Sequence, residues 1–338
     1  MSPIRLGLVG FGLIWDQEHE PELNALGNVF EITALCASSD RSAAKAAEKY
    51  PGLPFTRDYR ELVARPDVDA VVVQTPIPLN APVAIAAMQA GKDVIMEKPI
   101  GRTCDEGAQV LYEMDETGKR IYVLDNAFYQ PRWDTISEVL ASGAIGTVVQ
   151  YEQVAHSPVD PEKKTQRGYA TTSWRINPDY PLGYLLDAGV HQIAALSKLF
   201  GHPRYVQAVS VKLRPEYGDV DQALMMFEYG NEVHGVFSQS GYLTDQRNYF
   251  YIRGTEGVLE ISRTGMVLVD NDGHETQVPL DSSGGGHEMW QAIAQAMVAG
   301  VDAPYTAELA SKDVCILHAV DQALREGQKQ EILPSLQP

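Results

Sequence analysis

Ile4-Arg5-Leu6-Gly7-Leu8-Val9-Gly10-Phe11-Gly12 opens the chain: a short apolar run that ends on two glycines one residue apart. A glycine straight after a strand permits a tight turn. A second lets a pyrophosphate come against the backbone at the N-terminus of the next helix, where unpaired N–H groups and the helix dipole favour an anion. Leu13 and Ile14 complete the candidate loop. Trp15 fills the third small position of the G-x-G-x-x-G pattern. The helix therefore either packs less closely on its strand or begins later, near Asp16. A glycine pair alone also suits an ordinary strand-to-helix turn. Its place at the head of a strand–helix series turns the reading toward a dinucleotide.

Short apolar runs recur at 32–37, 70–73, 94–96 and 121–124, separated by helix-like segments at 42–50, 57–65, 81–90 and 105–119. Val71-Val72-Val73 is continuous rather than alternating, as in strands buried on both faces of a parallel sheet. Gly91 and Gly118 stand where helix ends favour a left-handed residue. This alternation predicts an α/β fold with a doubly wound parallel sheet. The second half differs. A helix near 132–142 and a strand at 147–155 precede a long polar stretch, 156–181. A helix over 184–200 follows, then alternating runs at 206–213, 223–229, 233–239, 249–252, 258–261 and 266–269. Sequential strands with short turns predict an antiparallel or mixed sheet. Helices over 287–298 and 307–326 close the chain. The expected domains are 1–125 for the dinucleotide and 126–338 for substrate and oligomerisation. Whether the C-terminal helix packs back on the first domain stays open.

The net charge is −18, and no Lys/Arg-rich stretch offers the basic surface that nucleic acid requires. No apolar run approaches the roughly 18 residues of a membrane span. Three cysteines far apart make no disulfide framework and point to a reducing, cytoplasmic setting.

Site candidates sit at strand ends. After the second strand come Ser38, Ser39, Asp40 and Arg41. Ser38, Ser39 and Arg41 suit a 2′-phosphate, which leans toward NADP(H). Alternatively Ser39-Asp40 caps the next helix, or Asp40 serves the ribose of NAD. Glu97-Lys98-Pro99 ends a buried strand, where open α/β sheets bind ligands. Asp187 and His191, four apart on one helix, place a carboxylate beside an imidazole. An alcohol oxidation needs such a base; a structural Asp–His contact is the plain alternative. Gly189 between them leaves room for a ligand. No third ligand is patterned for a metal.

Together, Gly10-Phe11-Gly12, Thr75-Pro76, Glu97-Lys98-Pro99 and Asp187–His191 resemble the glucose–fructose oxidoreductase / inositol dehydrogenase / rhizopine-catabolism (Gfo/Idh/MocA) family over nearly the whole chain. The resemblance implies a Rossmann domain plus an α/β domain on an open, mainly antiparallel sheet that serves as a homodimer or homotetramer interface. It implies Lys98, Asp187 and His191 as the catalytic group, with His191 the acid/base. Thr75, Pro76, Asn80, Glu97 and Lys98 join the cofactor contacts. Tyr129, Trp174, Arg175 and Tyr184 face a carbohydrate-like substrate. Asn80 stands where relatives often carry histidine, and Phe128-Tyr129-Gln130-Pro131 lacks the usual basic residue before proline. The reaction implied is hydride transfer at a sugar or polyol hydroxyl using NADP or NAD. Glycoside cleavage by transient oxidation, and a dinucleotide-sensing regulator, are the alternatives.

Overall fold

The computed structural model describes residues 2–159, 168, 172–243, 248–262 and 265–333. The polar stretch 156–181 is thus covered only in part; 160–167 and 169–171 lie outside the described residues. The chain forms two compact units. One holds the chain through Asn126 together with Gly286–Val314, the other Ala127–Gly285 and the chain from Cys315.

The first unit is built on six parallel strands: β1 (Ile4–Val9), β2 (Phe30–Cys36), β3 (Phe55–Thr56), β4 (Ala70–Val73), β5 (Asp93–Glu97) and β6 (Ile121–Leu124). Their order, β3-β2-β1-β4-β5-β6, reverses direction between β1 and β4. Val71, Val72 and Val73 are wholly buried, the physical reason their run has no polar alternation. The crossover helices are α1 (Glu20–Ala25), α2 (Asp40–Lys49), α3 (Tyr59–Val63), α4 (Ile77–Gln89) and α5 (Cys104–Thr117). α4 begins four residues before the sequence reading placed it. Pro78 falls in its first turn, where a missing N–H costs nothing because that donor has no intrahelical partner. α5 ends on Gly118 at φ 64°, the left-handed stop its sequence suggested.

The second unit carries α6 (Pro131–Ala141), α7 (Tyr184–Phe200) and nine strands. These are β7 (Val148–His156), β8 (Tyr205–Val211), β9 (Gln222–Glu228), β10 (His234–Ser240), β11 (Tyr249–Gly254), β12 (Gly257–Ser262), β13 (Met266–Asp270), β14 (Glu275–Val278) and β15 (Gln330–Glu331). They form one nine-stranded sheet, β14-β13-β12-β11-β7-β10-β9-β8-β15. Only β7 and β10 pair in parallel; every other pairing is antiparallel. The inner face packs on α7. Tyr151 of β7 stacks on Phe200 of α7 with ring centroids 4.6 Å apart, and its hydroxyl meets that of Tyr229 at 2.9 Å. The outer face is apolar yet uncovered: Val209 is 63% exposed and Met226 48%, with Leu224 beside them.

Two more helices follow, α8 (Gly286–Ala299) and α9 (Ala307–Glu326). Residues 286–314 complete the first unit. The Tyr122 hydroxyl donates to Val301 O at 3.1 Å, and wholly buried Trp290 meets Phe30 edge-on at 6.0 Å. No helix among the described residues is long and apolar enough to cross a membrane.

Gly235 of β10 lies flat against Tyr151; a Cβ there would stand 2.0 Å from Tyr151 Cζ. The ring is wholly buried and has nowhere to move. Gly235→Ala should therefore lower stability by about 1–3 kcal/mol through overpacking, read as an earlier urea midpoint. A midpoint equal to wild type would show that the tyrosine cluster yields.

Candidate active site

At the carboxyl end of β1 the chain turns within a very small space. Gly10 has φ 81°, and a Cβ on it would lie 2.3 Å from Gln74 O at the end of β4. Only glycine fits, on grounds of both conformation and contact. A Cβ on Gly12 would meet nothing within 4 Å, so the backbone there faces open space. The helix starts at once, from Leu13 and Ile14, and not near Asp16. It absorbs Trp15 by widening: Trp15–His19 forms a π-helical turn in which Glu20 N–H reaches back to Trp15 O. Trp15 is wholly buried, and its indole donates to the Tyr50 hydroxyl at 2.8 Å. Lys45 of α2 pins the loop by donating to Phe11 O at 2.5 Å and Asp16 Oδ2 at 2.6 Å. Burial pushes the Asp16 carboxyl upward, but the hydrogen bonds from Lys45 and Lys49 outweigh it and hold Asp16 below the usual range.

This cradle fits a dinucleotide. The turn is tight where the strands meet, open at Gly12, and bordered by Gln74. That side chain is 7% exposed, and neither amide atom has a hydrogen-bond partner. A buried amide left unpaired is costly, so its presence at a ligand-binding edge is informative. Gln74 was passed over in the sequence, although a polar residue directly after Val71–Val73 is its visible signal.

At the adenosine end, Ser38, Ser39, Asp40 and Arg41 are all exposed beyond β2. Ser39 caps α2: its Oγ accepts from Ser42 N–H at 3.1 Å and donates to Ser42 Oγ at 2.8 Å. Asp40 pairs with Arg57, which also donates to Ser38 O at 2.7 Å. Arg57 lies in a different loop and gave no local signal.

The β5 end is organised from behind. Asn80, expected among the cofactor contacts, is 1% exposed. It accepts from Thr75 Oγ1 at 2.9 Å and donates to Glu97 O at 3.1 Å and Pro99 O at 3.2 Å. Its amide hydrogens thus clasp the carbonyls on either side of Lys98, across the cis Lys98–Pro99 bond, and are not available to a ligand. Glu97, likewise expected at the cofactor, turns its carboxylate to His19 Nε2 at 2.5 Å. The Trp290 indole donates to His19 Nδ1 at 3.1 Å. With Nδ1 accepting, Nε2 carries the proton and donates to Glu97. Pro76 stands at the cap position of α4.

In the second unit, Leu182 (φ 64°) and Gly183 (φ 49°) turn the chain into α7. A Cβ on Gly183 would meet Tyr217 O at 2.3 Å. Asp187, in the first turn of α7, is 7% exposed. Arg175 holds it through Nε at 2.6 Å and Nη2 at 3.5 Å, while the guanidinium lies 4.0 Å from the Trp174 ring centroid. The Tyr180 phenol is raised above its ordinary range, first by burial and then by the Asp187 charge, with Arg175 opposing. Tyr180 joins this cluster without having been singled out in the sequence. His191 follows one turn along α7, half-buried. The space at Gly189 is not open to a ligand: a Cβ there would stand 2.6 Å from Gln239 Oε1, so the glutamine fills it. Tyr184 is also committed, its hydroxyl donating to Ser157 O at 3.0 Å and its ring lying against Gly241. Tyr129 is 7% exposed and packs edge-on against Phe128 at 5.3 Å.

Residues 4–124 match the model of an oxidoreductase family with an NAD-binding Rossmann fold, and residues 133–260 match the GFO/IDH/MocA C-terminal domain. Among solved structures, an oxidoreductase of Thermotoga maritima superposes with a TM-score of 0.86 at 30% identity, covering 98% of both chains. The dTDP-3,4-didehydro-2,6-dideoxy-alpha-D-glucose 3-reductase of Actinomadura kijaniata is 26% identical over 96% of this chain and 97% of its own. The scyllo-inositol 2-dehydrogenase (NADP(+)) of Bacillus subtilis is 29% identical over 68% of this chain and 61% of its own.

Burial, opposed by the hydrogen bond to Ser157, lifts the Tyr184 phenol to about 12. A folded pKa above the unfolded value of about 10 gives stability that is present below pH 10 and lost as pH rises toward 12. The difference in urea unfolding free energy between wild type and Tyr184→Phe should therefore shrink across that window. A difference independent of pH would show that the phenol is not held in its neutral form.

Proposed function

Because the chain belongs to the GFO/IDH/MocA oxidoreductase family, we propose that it transfers a hydride between a nicotinamide dinucleotide and a hydroxyl- or carbonyl-bearing carbon of a sugar, polyol or sugar derivative. The observation that carries this reading is the cradle at Gly10, Gly12 and Gln74. It joins a glycine that admits no Cβ, an open backbone and a buried unpartnered amide. The inositol dehydrogenase and dTDP-sugar reductase relatives support the polyol and sugar substrate class.

When bound, the nicotinamide supplies or accepts the hydride. The chain's own residues handle the proton and the oxygen. His191 is the acid/base that takes the hydroxyl proton in oxidation and returns it in reduction. Lys98, clasped by Asn80 through its neighbours' carbonyls, stabilises charge on the reacting oxygen. Asp187, fixed by Arg175, accepts from a substrate hydroxyl, and Trp174 and Tyr180 shape the same patch. NADP(H) is the preferred cofactor, recognised by Ser38 and Arg41 beyond β2; Ser39 contributes less because its hydroxyl caps α2.

His191→Ala should leave dinucleotide affinity within about twofold and reduce turnover at least about 100-fold. Nicotinamide fluorescence titration and a sugar and polyol activity screen read the two quantities. Retained turnover would remove His191 from the acid/base role. A wild-type protein that binds neither NAD(H) nor NADP(H) would end the oxidoreductase reading.

We also propose that the outer face of the nine-stranded sheet joins copies of the chain. Val209 and Leu224 face each other across β8 and β9, and Met226 opposes Val236 across β9 and β10. An apolar stripe of this kind is unusual on a free surface. Met226→Glu should shift the mass measured by light scattering to that of a single chain; a wild type already monomeric at micromolar concentration would refute the assembly.

A further inference from the structure

A cation beyond β2 comes from neither β2 nor α2. β3 is two residues long and pairs Thr56 with Cys36, so Arg57 leaves it level with Ala37, one residue short of Ser38. Its guanidinium has two anchors of different character. Nη1 donates to Ser38 O at 2.7 Å, which ties the group to the backbone two residues beyond β2. Nη2 meets the Asp40 carboxylate. The Asp40 side chain is 96% exposed and that of Arg57 53%. An ion pair this exposed contributes little to stability and is readily exchanged.

We propose that Arg57 joins Ser38 and Arg41 at the adenosine 2′-phosphate of NADP(H) as a cation, and that Asp40 is the counter-ion it gives up on binding. This rests on the reading that the Gly10–Gly12 loop holds a dinucleotide. The backbone anchor keeps the planar fork in position, so its ordering is largely done before the ligand arrives. A phosphate monoester brings more charge and more acceptor oxygens than one carboxylate, and a guanidinium engages such oxygens in pairs. The exchange matters in a chain of net charge −18, where an anionic ligand meets repulsion unless a cation stands at its own end. Asp40 is then a restraint. With Arg57 neutralised it keeps the site from attracting small anions, and its charge opposes the phosphate until the pair opens. The same pair has an opposite reading, in which Asp40 accepts from the ribose hydroxyls of NAD and Arg57 only orients it. The two readings assign opposite signs to loss of the Asp40 charge.

Full-length wild type, Arg57→Ala, Arg57→Gln and Asp40→Asn are titrated with NADPH and with NADH by nicotinamide fluorescence. Both Arg57 variants should weaken NADPH binding about 10–100-fold, the loss expected for charge-assisted hydrogen bonds to an anion. They should change NADH binding by no more than about threefold, so that a general folding defect is excluded by the NADH arm. Asp40→Asn should tighten NADPH binding several-fold. Equal effects of Arg57→Ala on the two dinucleotides, no effect on NADPH, or loss of NADH binding in Asp40→Asn would overturn the inference while leaving the dinucleotide reading intact. Failure of the wild type to bind either dinucleotide would overturn both, and is seen before any variant is measured.

Discussion

The ends of β1 and β4 meet where Gly10 presses against the carbonyl of Gln74, at a separation that leaves no room for a Cβ. Everything else at the dinucleotide edge follows from that contact. Strand order reverses there, so the two strands diverge to carry their helices to opposite faces of the sheet. The backbone at Gly12 is left facing open space, and the helix begins immediately. A side chain as large as Trp15 is then a problem of packing, and the widened turn at Trp15–His19 solves it by sending the indole inward to the Tyr50 hydroxyl. The loop keeps its shape because Lys45 grips it from α2, not because its sequence repeats three small residues.

Charged groups in both units are held by partners rather than by their own elements. Lys98 sits between two carbonyls clasped by one buried amide, that of Asn80. The neighbouring Glu97 is fixed by His19, whose tautomer is set in turn by Trp290. In the second unit Asp187 is gripped by Arg175, which is itself stacked on Trp174. Such support restricts the motion of a charge without supplying any chemistry of its own. It is the kind of arrangement that lets a reacting group keep its position while water and substrate exchange around it.

The nine-stranded sheet shows how one alternation serves two purposes. Along β9, Ala223, Met225 and Phe227 point into the core. Leu224 and Met226 point outward and are as apolar as the inner set. A strand that is apolar on both faces reads as doubly covered, yet α7 covers only one of them. The outward residues leave an apolar stripe exposed on that face.

Sequence by itself determined what depends on local pattern. The buried run Val71–Val73, the bounds Tyr184–Phe200 of α7, the glycine stop of α5 and the glycine pair after β1 were all legible, because burial on two faces, helical period and backbone freedom act within a few residues. Tertiary structure alone decided what each polar atom does. The two amide hydrogens of Asn80 go to carbonyls 17 and 19 residues away, partners that no local pattern names. The gap at Gly189 looks like ligand space until Gln239 arrives from β10 to fill it. Arg57 reaches Ser38 only because β3 pairs with β2, and His19 meets Trp290 across 271 residues of chain. Hydrogen bonds must be satisfied wherever a group is buried, but their partners are chosen by the folded arrangement of strands and helices, and no local period records that choice.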